Sequence, residues 1–385
     1  MKQIVTSDFK LGIIAGGQLG KMLIQPAISW DVQTYVLDPS PDCPCAAICN
    51  TFIQGDIKDY DTVLAFGKQV DMITLEIEHV NVDALRELKK MGKTVHPDPE
   101  ALAIIQDKGL QKEFYAKHNL PTSPFKLYEN EKEIKDAVES GELSIPFVQK
   151  SRTAGYDGKG VKVVLNQDDL AELLPGKAMV EAAVDIEKEI AVIASRNEKG
   201  DILCFPSVEM EFNPTANLVE RLICPAAISE EMEQKAQQLA QDVIKHFDIC
   251  GILAIEMFIS KSGELLVNEV APRPHNSGHH TIEANITSQY EQHLRAIFNL
   301  PLGSTELLNP AVMINVLGEA GHTGKVKYEG LAEAMAVKGM KMHLYGKTEC
   351  RPFRKMGHVT VVSPSLEEAR EGASKVQQHL KAKAW

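Results

Sequence analysis

The sequence predicts an α/β protein, α+β in its later part, with a mostly parallel sheet near the N-terminus and a small β-rich C-terminal domain. Three observations carry this expectation. Short β-rich runs alternate with amphipathic helical stretches over residues 11–100, the pattern of a parallel sheet covered by helices on both faces. His96-Pro97-Asp98-Pro99 then interrupts the chain. Finally, 385 residues exceed the ~100–200 of a typical domain, so two or three domains are expected.

Each element follows from its local pattern. LGIIA (11–15) reads as the first strand and leads through GGQLG into an amphipathic helix from Leu19 to Trp30. TYVLD (34–38) and TFIQGD (51–56) read as strands, DMITLEIE (71–78) as a buried strand, and Val82 to Met91 as a helix. Pro99 suits the first turn of a helix, which places a domain boundary near residue 100. ALAIIQDKGLQKEFYAKHN (101–119) reads as one helix. A strand ending at Lys150, a glycine loop at 155–160 and a hairpin over 252–270 follow. Beyond residue 301 come a strand AVMINVLG, a strand GHVTVV and a helix from Ser365. The expected division is therefore 1–100, 101–300 and 301–385.

Composition narrows the partners. Forty-one Lys and Arg against 53 Asp and Glu leave a net charge of −12, which argues against nucleic acid or anionic membrane as a partner. No apolar run approaches the ~18 residues of a membrane span. The first residues lack the apolar core of a signal peptide, and seven scattered cysteines suit a reducing compartment, so a cytoplasmic location is expected. Cys43, Cys45 and Cys49 cluster without a fourth ligand nearby, so zinc is not expected.

Five features could carry chemistry. Ala15-x-Gly17-x-x-Gly20 opens a helix after a strand, and Asp38 ends the next strand. That layout suits dinucleotide phosphate, another phosphate or substrate contact, or a plain tight turn. SRTAGYDGKGVKVV (151–164) has glycines at 155, 158 and 160, too many for a good strand or helix. It reads as a mobile loop closing over polyphosphate with Lys159, or as a hairpin turn. In the hairpin around Ser260–Gly263, Glu256 and Glu269 share a face if the loop holds two or four residues. Two acids in apolar strands then suit a hard cation such as Mg²⁺, or else a solvated strand face. APRPHNSGHHT (271–281) offers Arg273, His275 and Asn276 in a segment that two prolines and a glycine keep from being helical. Lastly, Lys338 to Lys355 carries six basic residues against one acid, a seat for a phosphorylated substrate or a solvated basic face.

In this order, these features resemble the ATP-grasp ligases, and among them the N5-carboxyaminoimidazole ribonucleotide synthetases. The resemblance rests on GGQLG (16–20), LEIEHV (75–80), QDKGLQK (106–112), AGYDGKG (154–160), NEVAPRPHNSGHHT (268–281) and RPFRKMGHVTV (351–361), and spans nearly the whole chain. It implies an ATP-grasp fold between a Rossmann-like N-terminal domain and the C-terminal domain. It also implies ATP-dependent carboxylation of 5-aminoimidazole ribonucleotide by bicarbonate through carboxyphosphate, and a homodimer. By the same resemblance, Lys108 and Lys150 would touch ATP phosphates under a loop holding Gly155, Gly158, Lys159 and Gly160. Glu181, Ala183, Val184 and Glu189 would contact adenine and ribose. Glu256 and Glu269 would hold Mg²⁺, with Asn268 beside them. Tyr156, Asp157, Arg273, His275 and Asn276 would surround the imidazole and the carboxylation centre. Gly17, Gln18, Leu19, Glu76, Lys347, Arg354 and Lys355 would bind the ribonucleotide. Pro214 stands where relatives carry a histidine, and Ala154 where glycine is frequent. A formate-dependent glycinamide ribonucleotide enzyme of the same fold and an NAD-dependent oxidoreductase are the rival readings.

Overall fold

The computed structural model describes residues 6–153, 160–212 and 218–385. Gly155, Tyr156, Asp157, Gly158 and Lys159, with Ala154 and Pro214, lie outside the described residues.

The N-terminal alternation becomes β1 (Lys10–Ile14), α1 (Gln18–Ser29), β2 (Gln33–Asp38), β3 (Thr51–Gln54), α2 (Tyr60–Lys68), β4 (Met72–Leu75), α3 (Val82–Lys90) and β5 (Thr94–Val95). The strands lie in the order β3-β2-β1-β4-β5, and every pairing is parallel. The chain leaves β1 in one direction and resumes at β4 in the other. The carboxyl ends of β1 and β4 therefore border a crevice, the usual binding position in such sheets. One expectation is corrected here. The strand read over 71–78 ends at Leu75, because the Glu76 side chain turns to the backbone amides that follow β1.

The helix read over 101–119 is also corrected, since it is two helices, α4 (Pro99–Ile105) and α5 (Lys108–Lys117). Asp107 caps the second by accepting from the amides of Gly109 and Leu110, and its carboxylate pairs with Arg152 at 2.8 Å. A cap placed in mid-sequence ends one helix and starts another.

An antiparallel sheet follows, ordered β6-β9-β7-β8, from β6 (Phe125–Tyr128), β7 (Phe147–Ser151), β8 (Val161–Val164) and β9 (Ala178–Ala182), with α6 (Glu131–Glu139). Ala183–Asp185 connects it to a nine-stranded sheet. That sheet comprises β10 (Ile186–Arg196), β11 (Ile202–Cys204), β12 (Val208–Phe212), β13 (Val219–Cys224), β14 (Gly251–Ser260), β15 (Leu265–Ala271), and three strands from beyond residue 301. Those three are β16 (Ala311–Leu317), β18 (Met340–Leu344) and β20 (Lys355–Val362), separated by β17 (Gly324–Glu329) and β19 (Glu349–Cys350). The order is β15-β14-β10-β12-β13-β16-β20-β18, with β11 paired to β10. The C-terminal strands thus extend the central sheet, and Lys355 enters at the start of one of them.

One face of this sheet packs Ile190, Val192, Ile255 and Met257 against α7 (Glu230–His246) through Ala236, Leu239, Ala240 and Val243. The opposite face carries Ala191, Val208, Met210, Leu222 and Met313. By strand alternation and pairing it also carries Glu189, Glu256 and Glu269 at its β15 edge. Two short helices, α8 (Thr281–Ala284) and α9 (Gln289–Ile297), follow β15 and bind the central sheet to the N-terminal one. Near the C-terminus lie α10 (Leu331–Met335), α11 (Leu366–His379) and β21 (Lys381–Ala384). Val312, Ile314, Val359 and Val361 bury Ala369, Ala373 and Val376 of α11.

Candidate functional site

A cleft of about 370 Å³ opens between these sheets. Gln18, Leu19 and Glu76 line it from the N-terminal sheet, Lys108, Glu256, Glu269, Arg273, His275 and Asn276 from the middle, and Lys355 from β20.

The two hairpin acids face each other, though not for the reason the sequence offers. Ser260 N–H donates to the Glu264 carbonyl at 2.9 Å, and Gly263 sits at φ 85°, so the loop is the three residues 261–263. That odd length corrects the expected even one and by itself would face Glu256 with Asn268. A bulge between the pairs Met257–Val267 and Glu256–Glu269 inserts Asn268 as an extra residue and restores the opposition of the carboxylates. Asn268 and Glu269 both turn into the site: Lys150 Nζ donates to Asn268 Oδ1 at 2.8 Å, and Lys108 Nζ pairs with Glu269.

The charges here are unequal. Lys108 holds Glu269 well below the usual carboxylate range, against the effect of burial. Glu256 is pushed up, by burial and then by Glu269 and Glu189. Glu189 is pushed up to about 7, chiefly by burial, with Lys150 pulling the other way. An acid held high beside an ionised one is a site short of positive charge. Among the described residues no group of three or more His, Cys, Asp or Glu could hold a metal ion by itself. Glu256 and Glu269 nevertheless suit a hard divalent cation that completes its coordination with phosphate oxygens and water.

Glu181 is paired from within the chain. It is 3% exposed, with Lys150 Nζ 2.5 Å from one oxygen and Lys112 Nζ 2.9 Å from the other. Burial pushes its pKa up, but the two ammonium groups outweigh that and lower it. Both oxygens thus face lysines of the chain itself. Ala183 and Val184 sit in the connection between the two sheets, and Gly160 is tied to β7 by Ser151 N–H on its carbonyl at 2.8 Å.

The glycine turn after β1 is filled from within. Glu76 accepts from the amides of Gly17 (2.7 Å) and Gly20 (2.8 Å), and Asp38 accepts from Gly16 (2.7 Å) and Ser40 (2.8 Å). A Cβ on Gly17 would meet Glu76 Oε1 at 2.4 Å, which is the reason for glycine there. The dinucleotide reading fails on this observation: a carboxylate of the chain occupies the amides a phosphate needs, and Asp38 is not turned to a ribose. Ala15 stands at φ 71° where that fingerprint has its first glycine.

Between the turn and the acids lies the 271–281 segment. Arg273 Nε donates to Glu78 Oε2 at 2.5 Å and, despite burial, holds that carboxyl down to about 2. His275 Nε2 lies 3.6 Å from Glu256, and burial followed by Arg273 and Lys355 pushes its pKa down to about 3. Asn276 lines the cleft with a buried Oδ1 that has no partner among the described residues.

The basic stretch is dispersed. Lys355 alone of its six basic residues lines the cleft. Lys347 Nζ donates to the Lys355 carbonyl at 2.7 Å, Arg354 to the Glu349 carbonyl at 2.7 Å, and Arg351 pairs with Glu349. Lys338 and Lys341 are exposed. The charge surplus in sequence is therefore mostly surface, with Lys355 at its inner end and Lys347 behind it.

Sequence reasoning missed Glu78, Lys112 and Gln289. Glu78 shares the i, i+2 alternation of Glu76, and Lys112 stands four residues after Lys108, so both had a periodic signal. Gln289 had none.

Comparison with known proteins agrees with this layout. Residues 9–106 match the ribonucleotide synthetase preATP-grasp domain, 113–290 the ATP-grasp domain, and 311–372 the phosphoribosylaminoimidazole carboxylase C-terminal domain. An N5-carboxyaminoimidazole ribonucleotide synthase of Bacillus subtilis is 37% identical over 371 residues, covering 95% of both chains. A chloroplastic phosphoribosylaminoimidazole carboxylase of Vigna aconitifolia is 36% identical over 92% of this chain, which spans 64% of that longer protein. The crystal structure of N5-carboxyaminoimidazole ribonucleotide synthetase from Thermotoga maritima superposes with a TM-score of 0.90 at 44% identity, covering 98% of this chain and all of that one. A glycine turn, a carboxylate-bearing hairpin and a basic strand end that meet in one cleft, with matches of this extent, mean that the chain belongs to the N5-carboxyaminoimidazole ribonucleotide synthetase family of ATP-grasp enzymes.

Proposed function

We propose that this chain carboxylates 5-aminoimidazole ribonucleotide with bicarbonate and ATP. ATP transfers its γ-phosphoryl group to bicarbonate, giving ADP and carboxyphosphate. The 5-amino nitrogen then attacks the carboxyl carbon, the bond to phosphate breaks, and the amine loses a proton to leave the carbamate and inorganic phosphate. The observation that carries this reading is the convergence of Lys108, Glu256, Glu269, His275 and Lys355 on one cleft. Such chemistry needs no protein nucleophile, only positioning and neutralisation of phosphate charge.

In this reading Lys108 and Lys150 meet the ATP phosphates, and the family resemblance implies that the 155–160 loop would close over them and keep water from carboxyphosphate. Glu256 and Glu269 would hold Mg²⁺, which neutralises phosphate charge when bound. Glu189, together with the backbone of Glu181 to Val184, lies where adenine and ribose would sit. Arg273, His275 and Asn276 would surround the carboxyl carbon and the amine, and the family resemblance assigns Tyr156 and Asp157, outside the described residues, to the same centre. The ribonucleotide lies against Gln18, Leu19 and Lys355, with Glu76 holding the Gly17 turn in shape. Lys347 and Arg354 would reach its phosphate only by leaving the carbonyls that hold them. A cytoplasmic location, inferred from the scattered cysteines, domain boundaries near residues 100 and 300, and a homodimer, which the family resemblance implies, belong to the same proposal.

The test is ADP release with ATP, Mg²⁺ and bicarbonate, with and without 5-aminoimidazole ribonucleotide. Strong stimulation by that ribonucleotide, and none by formate with glycinamide ribonucleotide, is expected; the reverse pattern overturns the reading. Lys355→Met should raise the KM for the ribonucleotide about tenfold or more while Lys338→Met leaves it unchanged, since a charge-assisted hydrogen bond is worth ~1.5–3 kcal/mol. Equal KM values for the two variants would remove Lys355 from the substrate seat.

A further inference from the structure

His279 has no part in the reading above, yet it lines the same cleft at 1% exposure. Its tautomer can be derived from its neighbours. Gln289 accepts from the His275 amide through Oε1 (2.8 Å) and donates through Nε2 to the His275 carbonyl (2.7 Å), which settles the orientation of its amide. That same Nε2, a donor only, lies 3.4 Å from His279 Nδ1. The Tyr290 hydroxyl, 3.0 Å from the same nitrogen and 3.4 Å from Met22 Sδ, can serve either tautomer, so the Gln289 amide decides. Nδ1 is therefore the acceptor, and the ring proton of the neutral imidazole sits on Nε2. Burial, and then His358 and His275, keep the ring neutral.

The ring is also held in plane. His358 stacks on it at 4.5 Å and 26°, and His343 stacks on His358 at 4.5 Å and 14°. Tyr345 Oη lies 3.0 Å from His358 Nδ1, and His343 Nε2 lies 2.6 Å from Glu283. Gly278 must be glycine for this packing, because a Cβ there would meet Gln289 Oε1 at 2.5 Å. No hydrogen bond among the described residues engages His279 Nε2, and the residue lines the cleft, so this nitrogen is open to a ligand or water there.

We propose that His279 is a substrate-contacting residue whose Nε2–H donates a hydrogen bond to an anionic oxygen bound beside Lys355. The oxygen belongs either to the ribonucleotide phosphate or to the carboxyl group in transfer. Because its proton is already on Nε2 and Nδ1 is occupied, His279 is a donor to the substrate, not a base for its amine. His275 contrasts with it: the Ser277 amide donates to its Nδ1 at 3.3 Å, so its Nε2–H faces Glu256 and the metal end.

This proposal rests on the carboxylase reading, and two variants test it. His279→Phe keeps a ring in the stack and removes the donor, whereas His279→Gln places an amide N–H at similar reach. The phenylalanine variant should raise one KM about tenfold or more: that of the ribonucleotide if the acceptor is its phosphate, that of bicarbonate if it is the carboxyl group. The KM for ATP should stay unchanged, and glutamine should recover most of the loss. Wild-type kinetics in His279→Phe, or equal impairment in both variants, overturns the proposal. Should the variants fail to fold, ¹⁵N spectra of the wild-type protein decide: an Nε2–H tautomer that responds to added inorganic phosphate or bicarbonate supports it, and an Nδ1–H tautomer or no response overturns it. Those spectra need no turnover, so they still judge His279 if the wild type shows no ribonucleotide-stimulated ADP release and the carboxylase reading falls.

Discussion

Glu269→Gln is expected to lower ribonucleotide-stimulated ADP release by a factor of about 10²–10⁴, corresponding to the several kcal/mol a catalytic cation supplies. The amide keeps the size of the side chain but removes the ionised member of the two carboxyl groups that face each other across the hairpin. It also leaves Lys108 without its main partner, so the ammonium is drawn to Glu256 and Glu78. The fold should survive, because the Glu269 side chain is 39% exposed and Asn268 still anchors Lys150. An unchanged melting temperature with collapsed turnover is the expected result. Turnover within threefold of wild type would refute the paired-carboxylate site.

The largest expected effect on stability comes from Glu181→Leu. This carboxylate lies at 3% exposure between Lys112 and Lys150, and Lys112 is itself 2% exposed. Removing it leaves a buried ammonium uncompensated, which costs about 3–5 kcal/mol. The unfolding midpoint in urea should fall accordingly, and Lys112→Met in the same chain should recover part of the loss. The pH dependence has a definite sign. The folded pKa of Glu181 is lowered, so its contribution is complete above the ordinary glutamate value and is lost as the pH falls through the lowered one. The gap between wild type and variant should therefore close in acid. A midpoint within ~1 kcal/mol of wild type at neutral pH, the size of an ordinary surface effect, would mean the triad carries no net stability.

Particular residues show which features the sequence could reveal. Asp107 is a good helix cap, but it stands inside an apolar-periodic stretch. Only the Arg152 pairing and the contact of Lys108 N–H with the Arg152 carbonyl make the chain break there. The bulge at Asn268 likewise has no local signal, since a three-residue loop with a bulge and a four-residue loop without one oppose the same two acids. The pairing of Glu181 with Lys112 had no local signal, because that lysine reaches it from a helix 69 positions earlier. The basic surplus at 338–355 was legible in count but not in place, since periodicity does not say that Lys355 is the member that lines the cleft.

The sequence by itself determined what short-range chemistry controls. The parallel N-terminal sheet follows from alternating apolar runs, the hairpin from Gly263 between two such runs, and the C-terminal helix from the Ser365 cap. The five polar motifs were legible for the same reason. Tertiary structure decided how those motifs meet. It set the order of the central sheet, which draws β16 and β20 from the far end of the chain beside β13, and so brings Lys355 into the cleft and His358 against His279. Strand order depends on which faces bury one another across hundreds of residues, and that balance leaves no periodic trace in the chain.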